Sequence, residues 1–288
     1  MMKPYVIAEV GCNHKGEIDT AKEMIEVAAI FCKVDSVKFQ KRTPKELLSQ
    51  FEYHAPHPNP HHSYGRTYGE HREMLEFTVD QHRELKEHCE RFHVDYSTSV
   101  WEMTSTKEIV TLDPKYIKIP SASNVDFDML GYLCDHYRGR IDLSLGMTTR
   151  QEEEKIVRFF EDRKREKDLV LYHCISGYPV PLGDLCLLDL TRLRDSYAHI
   201  VGGIGFSGHH NGISADIVAL TLGARYFERH FTLDRSWKGT DHAASLEPDG
   251  MRRLARDLGN CILTLKNREQ EVLPIEDVQR KKLKRKVA

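Results

Sequence analysis

Short apolar runs, many of them β-branched or aromatic, alternate along the chain with segments whose apolar residues recur every three or four positions. The runs have the length and composition of buried strands, and the segments between them have the period of amphipathic helices. Eight such strand–helix pairs follow one another. The predicted strands are YVIAEVG, SVKFQ, VDYSTSV, YIKIPS, IDLSLGM, LVLYHC, IVGGIGFSG and YFERHFT.

This alternation of strand and helix favours a parallel sheet with right-handed crossovers. Eight units in about 270 residues are typical of a closed (β/α)8 barrel, the TIM barrel, so we predict one α/β barrel domain over residues 1–270. An open doubly wound sheet is the alternative, although no GxGxxG loop follows the first strand. Residues 271–288 are predicted to form a basic C-terminal tail.

The connection after the second strand is much longer than the others. Residues 41–77 are rich in His, Pro, Tyr and Gly, and excursions of this length inside a domain are usually functional lids or disordered. Barrel enzymes build their sites where the strands end, so we predict an active-site loop; the alternative is a surface insertion without a catalytic part. The candidate contacts in this loop are Tyr64, Arg66, Tyr68, Glu70 and His71.

Charge and composition narrow the functional classes. The 42 basic and 44 acidic residues leave a formal net charge of −2, which gives no bulk attraction to nucleic acid or membranes. The apolar runs are shorter than the roughly 18 residues of a spanning helix, and from the N-terminal residues we expect no secretory signal. The seven cysteines are scattered along the chain, which indicates free thiols in a reducing compartment. We therefore expect a cytoplasmic globular protein with no nucleic-acid or membrane partner.

Polar side chains collect where the predicted strands end, at the mouth of the predicted barrel. Lys38 and Lys118 lie on the second and fourth strands, and several serines and threonines end the strands around them. Lysine supplies point charge, and hydroxyl groups donate hydrogen bonds to phosphate or carboxylate oxygens. This set predicts a small substrate with both a carboxylate and a phosphate. A structural ion pair is the alternative for each lysine taken alone.

Histidines end the seventh and eighth strands. Neutral imidazoles from adjacent strands can bind one divalent ion and leave coordination positions open, so His230 with either His209 or His210 predicts a metal site. Hydrogen-bonded core histidines are the alternative. Alternation along the strand puts Glu228 on the face of His230, and Arg229 on the opposite face, where we expect it to pair with a helix.

The motifs IAEVGCNHKG, VKFQ, STSVW, YIKIPSAS, LSLGM, HCISGYP, IGFSGHH, FERHFT and KGTDHAAS occur here in the order of the sialic acid synthases. From Tyr5 to about residue 286 the chain resembles that family. The resemblance implies condensation of phosphoenolpyruvate with an aldose of the mannose or N-acetylmannosamine type, phosphorylated or not, giving a 3-deoxy-2-keto sugar acid and phosphate. It also implies a divalent metal ion, with Mn²⁺ preferred over Mg²⁺, Co²⁺ or Zn²⁺, and a homodimer.

The resemblance assigns roles residue by residue. It implies that the metal ligands are His209 and His230. The implied catalytic and acceptor-site residues are Glu9, Lys118, Tyr178 and Asp241. The implied phosphoenolpyruvate site consists of Lys38, Thr98, Lys118, Ser121, Ser144, Ser176 and Ser207.

Three positions depart from the family pattern. Ser123 stands where the family has Glu, Ser176 where it has Asn, and Gly208 where it has Asp. The basic tail resembles the linker to the family's C-terminal antifreeze-like domain, so we expect a short form that lacks this domain. Two alternatives stay open: a pyruvate-type aldolase or lyase that uses Lys118 as a Schiff base, and a non-catalytic sugar-binding barrel, which the three substitutions motivate.

Overall fold

Eight parallel strands form a closed barrel, in which each strand pairs with its neighbours in sequence and the first pairs with the last. The structure, a computed structural model, describes residues 3–285. It confirms the (β/α)8 barrel and excludes the open sheet. The strands are β1 (Tyr5–Gly11), β2 (Ser36–Lys41), β3 (Asp95–Val100), β4 (Tyr116–Ile119), β5 (Arg140–Ser144), β6 (Leu169–Cys174), β7 (Gly203–Gly208) and β8 (Tyr226–His230).

Most of the helices surround the barrel and cover its outer face. Thr78 and Thr149 start two of the longest helices with capping boxes, in which the Thr side chain and a Gln or Glu three residues later exchange hydrogen bonds with the backbone. The helices are α1 (Ile18–Glu26, continued by a π-helical segment, Val27–Cys32), α2 (Pro44–Leu47), α3 (Gln50–His54), α4 (Tyr68–Met74), α5 (Val79–Arg91), α6 (Met103–Val110), α7 (Phe127–His136), α8 (Arg150–Asp162), α9 (Leu188–Tyr197), α10 (Ser214–Leu222), α11 (Pro248–Thr264) and α12 (Pro274–Leu283).

The interior of the barrel is filled at one end and polar at the other. At the amino ends of the strands, the Arg140 guanidinium lies 4.9, 4.3 and 4.6 Å from the ring centres of Tyr5, Tyr116 and Tyr226. It also donates hydrogen bonds of 2.6 and 3.1 Å to the fully buried Asp142. This layer closes the base of the barrel, so the mouth at the carboxyl ends is the part that can receive a ligand.

The long connection after β2 is folded rather than irregular. It contains α2, α3 and α4, and a turn of 3-10 helix (Pro60–His62) lies between α3 and α4. The Tyr64 hydroxyl donates to the carbonyl of Lys238, and the Gly239 N–H donates to His62 Nδ1 at 3.2 Å. The connection therefore reaches the loop that follows β8 and makes one wall of the barrel mouth.

The described part of the predicted tail contains a helix, α12. In α12 the apolar side chains of Ile275, Val278 and Leu283 are exposed. The last three residues of the predicted tail, 286–288, lie outside the described residues. Among the helices of residues 3–285, none has a stretch both long and apolar enough to span a bilayer.

Candidate active site

A cavity of about 330 Å³ opens at the carboxyl ends of the strands. Strand register puts its residues at one level, because Glu9 is paired with Lys38 and with His230, and Ser99 with Lys118. All eight strands contribute to it. The residues that line it are Glu9, Lys38, Gln40, Ser99, Trp101, Lys118, Pro120, Ser121, Ala122, Ser144, Met147, Cys174, Ser176, Tyr178, Ser207, His209, Glu228 and His230.

Two lysines and two carboxylates form a buried network at the floor of this cavity. Lys38 Nζ lies 2.5 Å from Glu9 Oε2 and 3.7 Å from Glu228 Oε2, and it donates to Ser99 Oγ at 2.7 Å. Lys118 Nζ lies 3.2 Å from the same oxygen of Glu228. The two positive and two negative charges balance, so Glu228 links both lysines.

The members of this network differ in how readily they hold a proton. Burial raises the pKa of Glu9, because the opposing effect of Lys38 is smaller. Burial acts on Glu228 in the same direction, but Lys118 and Lys38 outweigh it and lower the pKa of Glu228 to about 2. Burial also lowers the pKa of Lys118. Glu228 is therefore the fixed anion of the network, and Glu9 is the carboxyl group that accepts a proton more easily.

Most of the hydroxyl groups expected at an anion site line the cavity. They belong to Ser121, Ser144, Ser176 and Ser207. Ser207 Oγ donates to Glu228 Oε1 at 3.0 Å, and Ser121 Oγ accepts the N–H of Gly146 at 3.0 Å.

Thr98 is the exception among the residues expected to bind phosphoenolpyruvate. It does not line the cavity, whereas its neighbour Ser99 does. Alternation along β3 puts Thr98 on the face of Tyr96, whose hydroxyl bonds His82 of α5 at 2.7 Å. Thr98 thus belongs to the layer between strand and helix, and Ser99 is the neighbouring hydroxyl residue that lines the cavity.

The two predicted metal ligands lie side by side at the rim. The ring centres of His209 and His230 are 5.5 Å apart. His209 Nδ1 bonds the carbonyl of Ile175 at 3.1 Å, which leaves Nε2 available, and His230 Nδ1 is buried without a hydrogen-bond partner. Burial lowers the pKa of His209 to about 3, so its ring is neutral, the form that binds metals.

These two imidazoles fit a divalent ion as part of its ligand set. Within residues 3–285 there is no group of three or more His, Cys, Asp or Glu side chains arranged around a common metal position. Substrate or water oxygens would have to supply the other ligands, as they do in open catalytic sites.

His209 and His210 are consecutive in the chain, but only His209 lines the cavity. His210 Nε2 lies 3.3 Å from Asp216 of α10, and Arg229 forms an ion pair of 2.5 Å with the same carboxylate. The prediction that Arg229 pairs with a helix is confirmed. His210 is held behind the strand, and His209 is the histidine of β7 that faces the cavity.

A second cavity of about 220 Å³ adjoins the first. The two share Gln40, Trp101, Tyr178 and His230 as a common wall. The Tyr178 ring lies 4.4 Å from that of His209. The other residues that line the second cavity are Cys12, Arg42, His71, Arg72, Leu75, Thr240 and Asp241.

Only some of the residues predicted as substrate contacts in the long connection line a cavity. His71 lines the second cavity, and Tyr64 is bonded to the loop after β8. The side chain of Arg66 is 92% exposed and forms an ion pair of 3.3 Å with Glu70. The Tyr68 ring packs against its neighbour on α4, Arg72.

The three positions that depart from the family pattern have different surroundings. Ser123 Oγ donates to the Trp101 carbonyl at 2.8 Å and does not line the first cavity, whereas Ser176 does. A Cβ atom at Gly208 would lie 2.8 Å from the Phe206 ring and 3.0 Å from His210. There is no room for an aspartate at Gly208 unless these rings move.

Sequence reasoning gave no role to several residues of the two cavities. Glu228 could have been assigned, since it alternates with His230 on one strand. That Ser99 faces the cavity could be assigned only from the register of β3. Cys174 ends β6. The others come from loops or from the long connection, where no periodicity indicates direction; they are Cys12, Arg42, Trp101 and Thr240.

Comparison with known proteins gives a consistent result. The NeuB family matches residues 24–270. N-acetylneuraminate-9-phosphate synthase of Drosophila melanogaster is 38% identical over 265 residues, which are 90% of this chain and 68% of that protein. The Homo sapiens protein of that name is 32% identical over 98% of this chain and 77% of its own length.

The solved structures agree with the sequence relatives. The crystal structure of N-acetylneuraminic acid synthetase from Leptospira borgpetersenii in complex with citrate superposes with a TM-score of 0.82 at 25% identity, over 99% of this chain and 94% of that one. A phospho-2-dehydro-3-deoxyheptonate aldolase from Thermotoga maritima has a TM-score of 0.68 at 13% identity, over 91% of this chain and 70% of that one. The second likeness extends to the fold alone.

Proposed function

The chain belongs to the NeuB family, and we propose that it condenses phosphoenolpyruvate with the open-chain aldehyde of an aldose. The products are a 3-deoxy-2-keto sugar acid and inorganic phosphate, which makes the protein a carbon–carbon bond-forming transferase. The observation that carries the proposal is the pair of adjoining cavities: the first has two buried lysines among serine hydroxyls, and the second lies across His230. A reaction between two substrates needs such a pair of sites.

The first cavity suits phosphoenolpyruvate. Lys38 and Lys118 supply positive charge to the carboxylate and phosphate oxygens, and the five serine hydroxyls of the cavity are available to donate hydrogen bonds. Because Glu9 and Glu228 already balance the lysines, a bound polyanion requires further positive charge. A proton on Glu9, whose pKa is raised by burial, meets part of this requirement.

The second cavity suits the aldose. Gln40, Thr240 and Asp241 offer both donors and acceptors for sugar hydroxyl groups, and Gln40 also donates to Glu9 Oε1 at 3.0 Å. Glu9 therefore lies where the two substrates would meet. Aldoses of the mannose or N-acetylmannosamine type are the proposed acceptors.

The proposed reaction joins two carbons and releases phosphate. C3 of phosphoenolpyruvate forms a bond to the aldehyde carbon, whose oxygen takes a proton and becomes a hydroxyl group. Water adds to C2 and loses one proton, which leaves a hydroxyl group on C2. The C2–O bond to phosphate then breaks, the C2 hydroxyl gives its proton to the departing phosphate, and C2 becomes the keto group. We assign the proton at the aldehyde oxygen to Glu9, and charge stabilisation of the departing phosphate to Lys38 and Lys118.

A divalent ion between His209 and His230, with Mn²⁺ as first candidate, would act as a Lewis acid on the aldehyde oxygen. Tyr178, packed against His209, would close this side of the site and orient the acceptor.

We also propose a cytoplasmic location and a homodimer. The seven cysteines, all within the described range, are unpaired, as is usual in a reducing compartment. The dimer remains a prediction from the resemblance, and light scattering of the purified protein tests it.

Phosphate release from phosphoenolpyruvate tests the proposed reaction. Purified protein is given mannose, N-acetylmannosamine, their 6-phosphates and other hexoses, each with Mn²⁺ and again with EDTA. We expect release that depends on the aldose and is abolished by EDTA. The Lys118→Met variant should lose activity by at least roughly 100-fold, as expected when a group that stabilises developing charge is removed. Lys3→Met, at a lysine that is 74% exposed, is the matched control. Release at the same rate without any aldose would indicate a phosphatase and contradict the proposal.

A further inference from the structure

Arg72 of α4 points a guanidinium group into the second cavity without an anionic partner. The group lies 5.6 Å from the ring centre of Tyr68 and 5.9 Å from that of Trp101, so two aromatic rings hold it in place. Its one side-chain hydrogen bond, from Nη1 to the Tyr68 hydroxyl, is long at 3.5 Å. Its Nε is buried and has no hydrogen-bond partner, and no ion pair among residues 3–285 includes it.

The neighbouring Arg42 differs from Arg72 because its guanidinium group has partners. Arg42 lines the same cavity, but its Nε donates to Glu76 Oε1 at 2.5 Å and its Nη2 lies 2.7 Å from Cys12 Sγ. Burial, together with the charge of Arg42, lowers the pKa of Arg72. A buried guanidinium that is neither paired nor fully hydrated is costly, and it is usually retained where a ligand supplies the counter-charge.

The location of Arg72 indicates which ligand supplies that charge. The first cavity has its own lysines for phosphoenolpyruvate, and the second cavity lies on the other side of the wall formed by Gln40 and His230. The carboxylate of the second cavity, Asp241, forms no ion pair with Arg72; its side chain accepts from Thr240 Oγ1 at 3.0 Å. A neutral sugar in this cavity would leave the guanidinium unpaired.

We propose that Arg72 is a specificity-determining residue, which selects aldoses carrying a phosphate monoester by binding that phosphate. The inference rests on the proposed function, because it takes the second cavity as the acceptor site. The planar guanidinium edge matches two phosphate oxygens at once, whereas a hydroxyl group or an amide carbonyl would use one donor and leave the charge uncompensated. The acceptor is therefore a hexose or hexosamine phosphate rather than the free sugar.

Calorimetric binding measurements test this without relying on turnover. N-acetylmannosamine 6-phosphate, N-acetylmannosamine and inorganic phosphate are titrated into the wild type and into Arg72→Gln, Arg72→Lys and Arg83→Gln. Arg83 is an arginine of α5 whose side chain is 50% exposed, and it serves as the matched control. Melting curves for each variant establish that it is folded.

The wild type should bind the sugar phosphate at least 10-fold more tightly than the free sugar. Arg72→Gln should remove that preference while leaving the weak affinity for the free sugar unchanged. Arg72→Lys should keep part of the preference, and Arg83→Gln should keep all of it. In kinetics, Arg72→Gln should raise KM for the phosphorylated acceptor and leave KM for phosphoenolpyruvate within about 2-fold.

Three results would overturn the inference: equal affinity of the wild type for both sugars, equal losses for both sugars in Arg72→Gln, or inorganic phosphate bound at Arg72 as tightly as the sugar phosphate. The last result would make Arg72 a site for released phosphate. Tight binding of the sugar phosphate through Arg72 without any phosphate release from phosphoenolpyruvate would instead refute the proposed reaction and leave the recognition of the phosphate intact.

Discussion

Glu228 connects the two lysines of the first cavity and sets the net charge of the proposed phosphoenolpyruvate site. Its Oε2 lies 3.2 Å from Lys118 and 3.7 Å from Lys38. The neutral variant Glu228→Gln leaves one positive charge of the pair uncompensated in a buried place, which should lower the free energy of unfolding by about 3–5 kcal/mol. A bound polyanion replaces the missing charge, so phosphoenolpyruvate should raise Tm more in the variant than in the wild type.

Thermal melts with and without phosphoenolpyruvate measure this difference. Glu84→Gln, at a glutamate of α5 that is 50% exposed, is the control and should behave as the wild type. An equal rise of Tm in Glu228→Gln and in the wild type would show that Glu228 does not balance the lysines.

At the scale of single residues, the sequence was informative wherever alternation along a strand settles direction. Lys38 and Lys118 were expected at an anion site, and both line the first cavity. The choice between Thr98 and Ser99 could not be made, because neighbouring hydroxyl residues differ only in which face they occupy. The direction of Arg72 depends on how α4 packs over the barrel mouth, and no local pattern contains that information.

At the scale of elements, the helix α5 carries a buried histidine with a consequence for pH. The His82 ring bonds the Tyr96 hydroxyl of β3 at 2.7 Å, and burial lowers the pKa of His82 to about 3. In the unfolded chain the imidazole has a pKa of about 6.5, so below this pH the unfolded state takes up a proton that the folded state does not. The contribution of the neutral His82 ring to the free energy of unfolding is therefore complete above pH 6.5 and is lost as the pH falls toward 3.

The variant His82→Gln keeps a hydrogen-bonding side chain and removes the titration. Between pH 6 and pH 4, its free energy of unfolding should fall less steeply than that of the wild type. The difference between the two slopes should be about 1.4 kcal/mol per pH unit. Urea unfolding at several pH values measures both slopes. His136→Gln, at an exposed histidine of α7, should leave the slope as in the wild type. Parallel curves for His82→Gln and the wild type would contradict the assignment.

The helices of the long connection between β2 and α5 were not predicted from the sequence. Its composition predicted a loop, whereas the structure contains α2, α3 and α4. Ser49 and Thr67 cap α3 and α4, and a glutamate lies three residues after each of them. These local signals were present in the sequence. Helices of four to seven residues are not stable alone, so their existence depends on packing against the barrel.

At the scale of the whole molecule, the barrel could be predicted because eight successive strand–helix units leave few other topologies. Each strand pairs with the next, and the predicted order needed no correction. The second cavity could not be predicted in this way. It forms between the long connection, with Arg72, and the loop after β8, with Asp241, which are far apart in sequence.

The base of the barrel should determine stability without affecting the reaction. Arg140 pairs with the fully buried Asp142 and lies among three tyrosines at the amino ends of the strands, opposite the cavity. Arg140→Met should therefore lower the free energy of unfolding by about 3–5 kcal/mol, because it leaves a buried carboxylate unpaired. KM values should stay within about 2-fold of the wild type.

Replacing both Arg140 and Asp142 provides the control for the loss of the ion pair. The double variant Arg140→Met, Asp142→Leu removes the unpaired charge and should regain part of the lost stability. Chemical denaturation measures the three proteins side by side. A double variant less stable than Arg140→Met would show that the ion pair is not the source of the loss.

In the proposed reaction, the three carbons of phosphoenolpyruvate become part of the sugar product. Mass spectrometry of a reaction with ¹³C₃-phosphoenolpyruvate and an aldose or aldose phosphate tests this. We expect one new acid that contains all three labelled carbons together with the whole aldose, formed in equal amount to released phosphate. Labelled pyruvate beside unchanged aldose would contradict the proposed condensation.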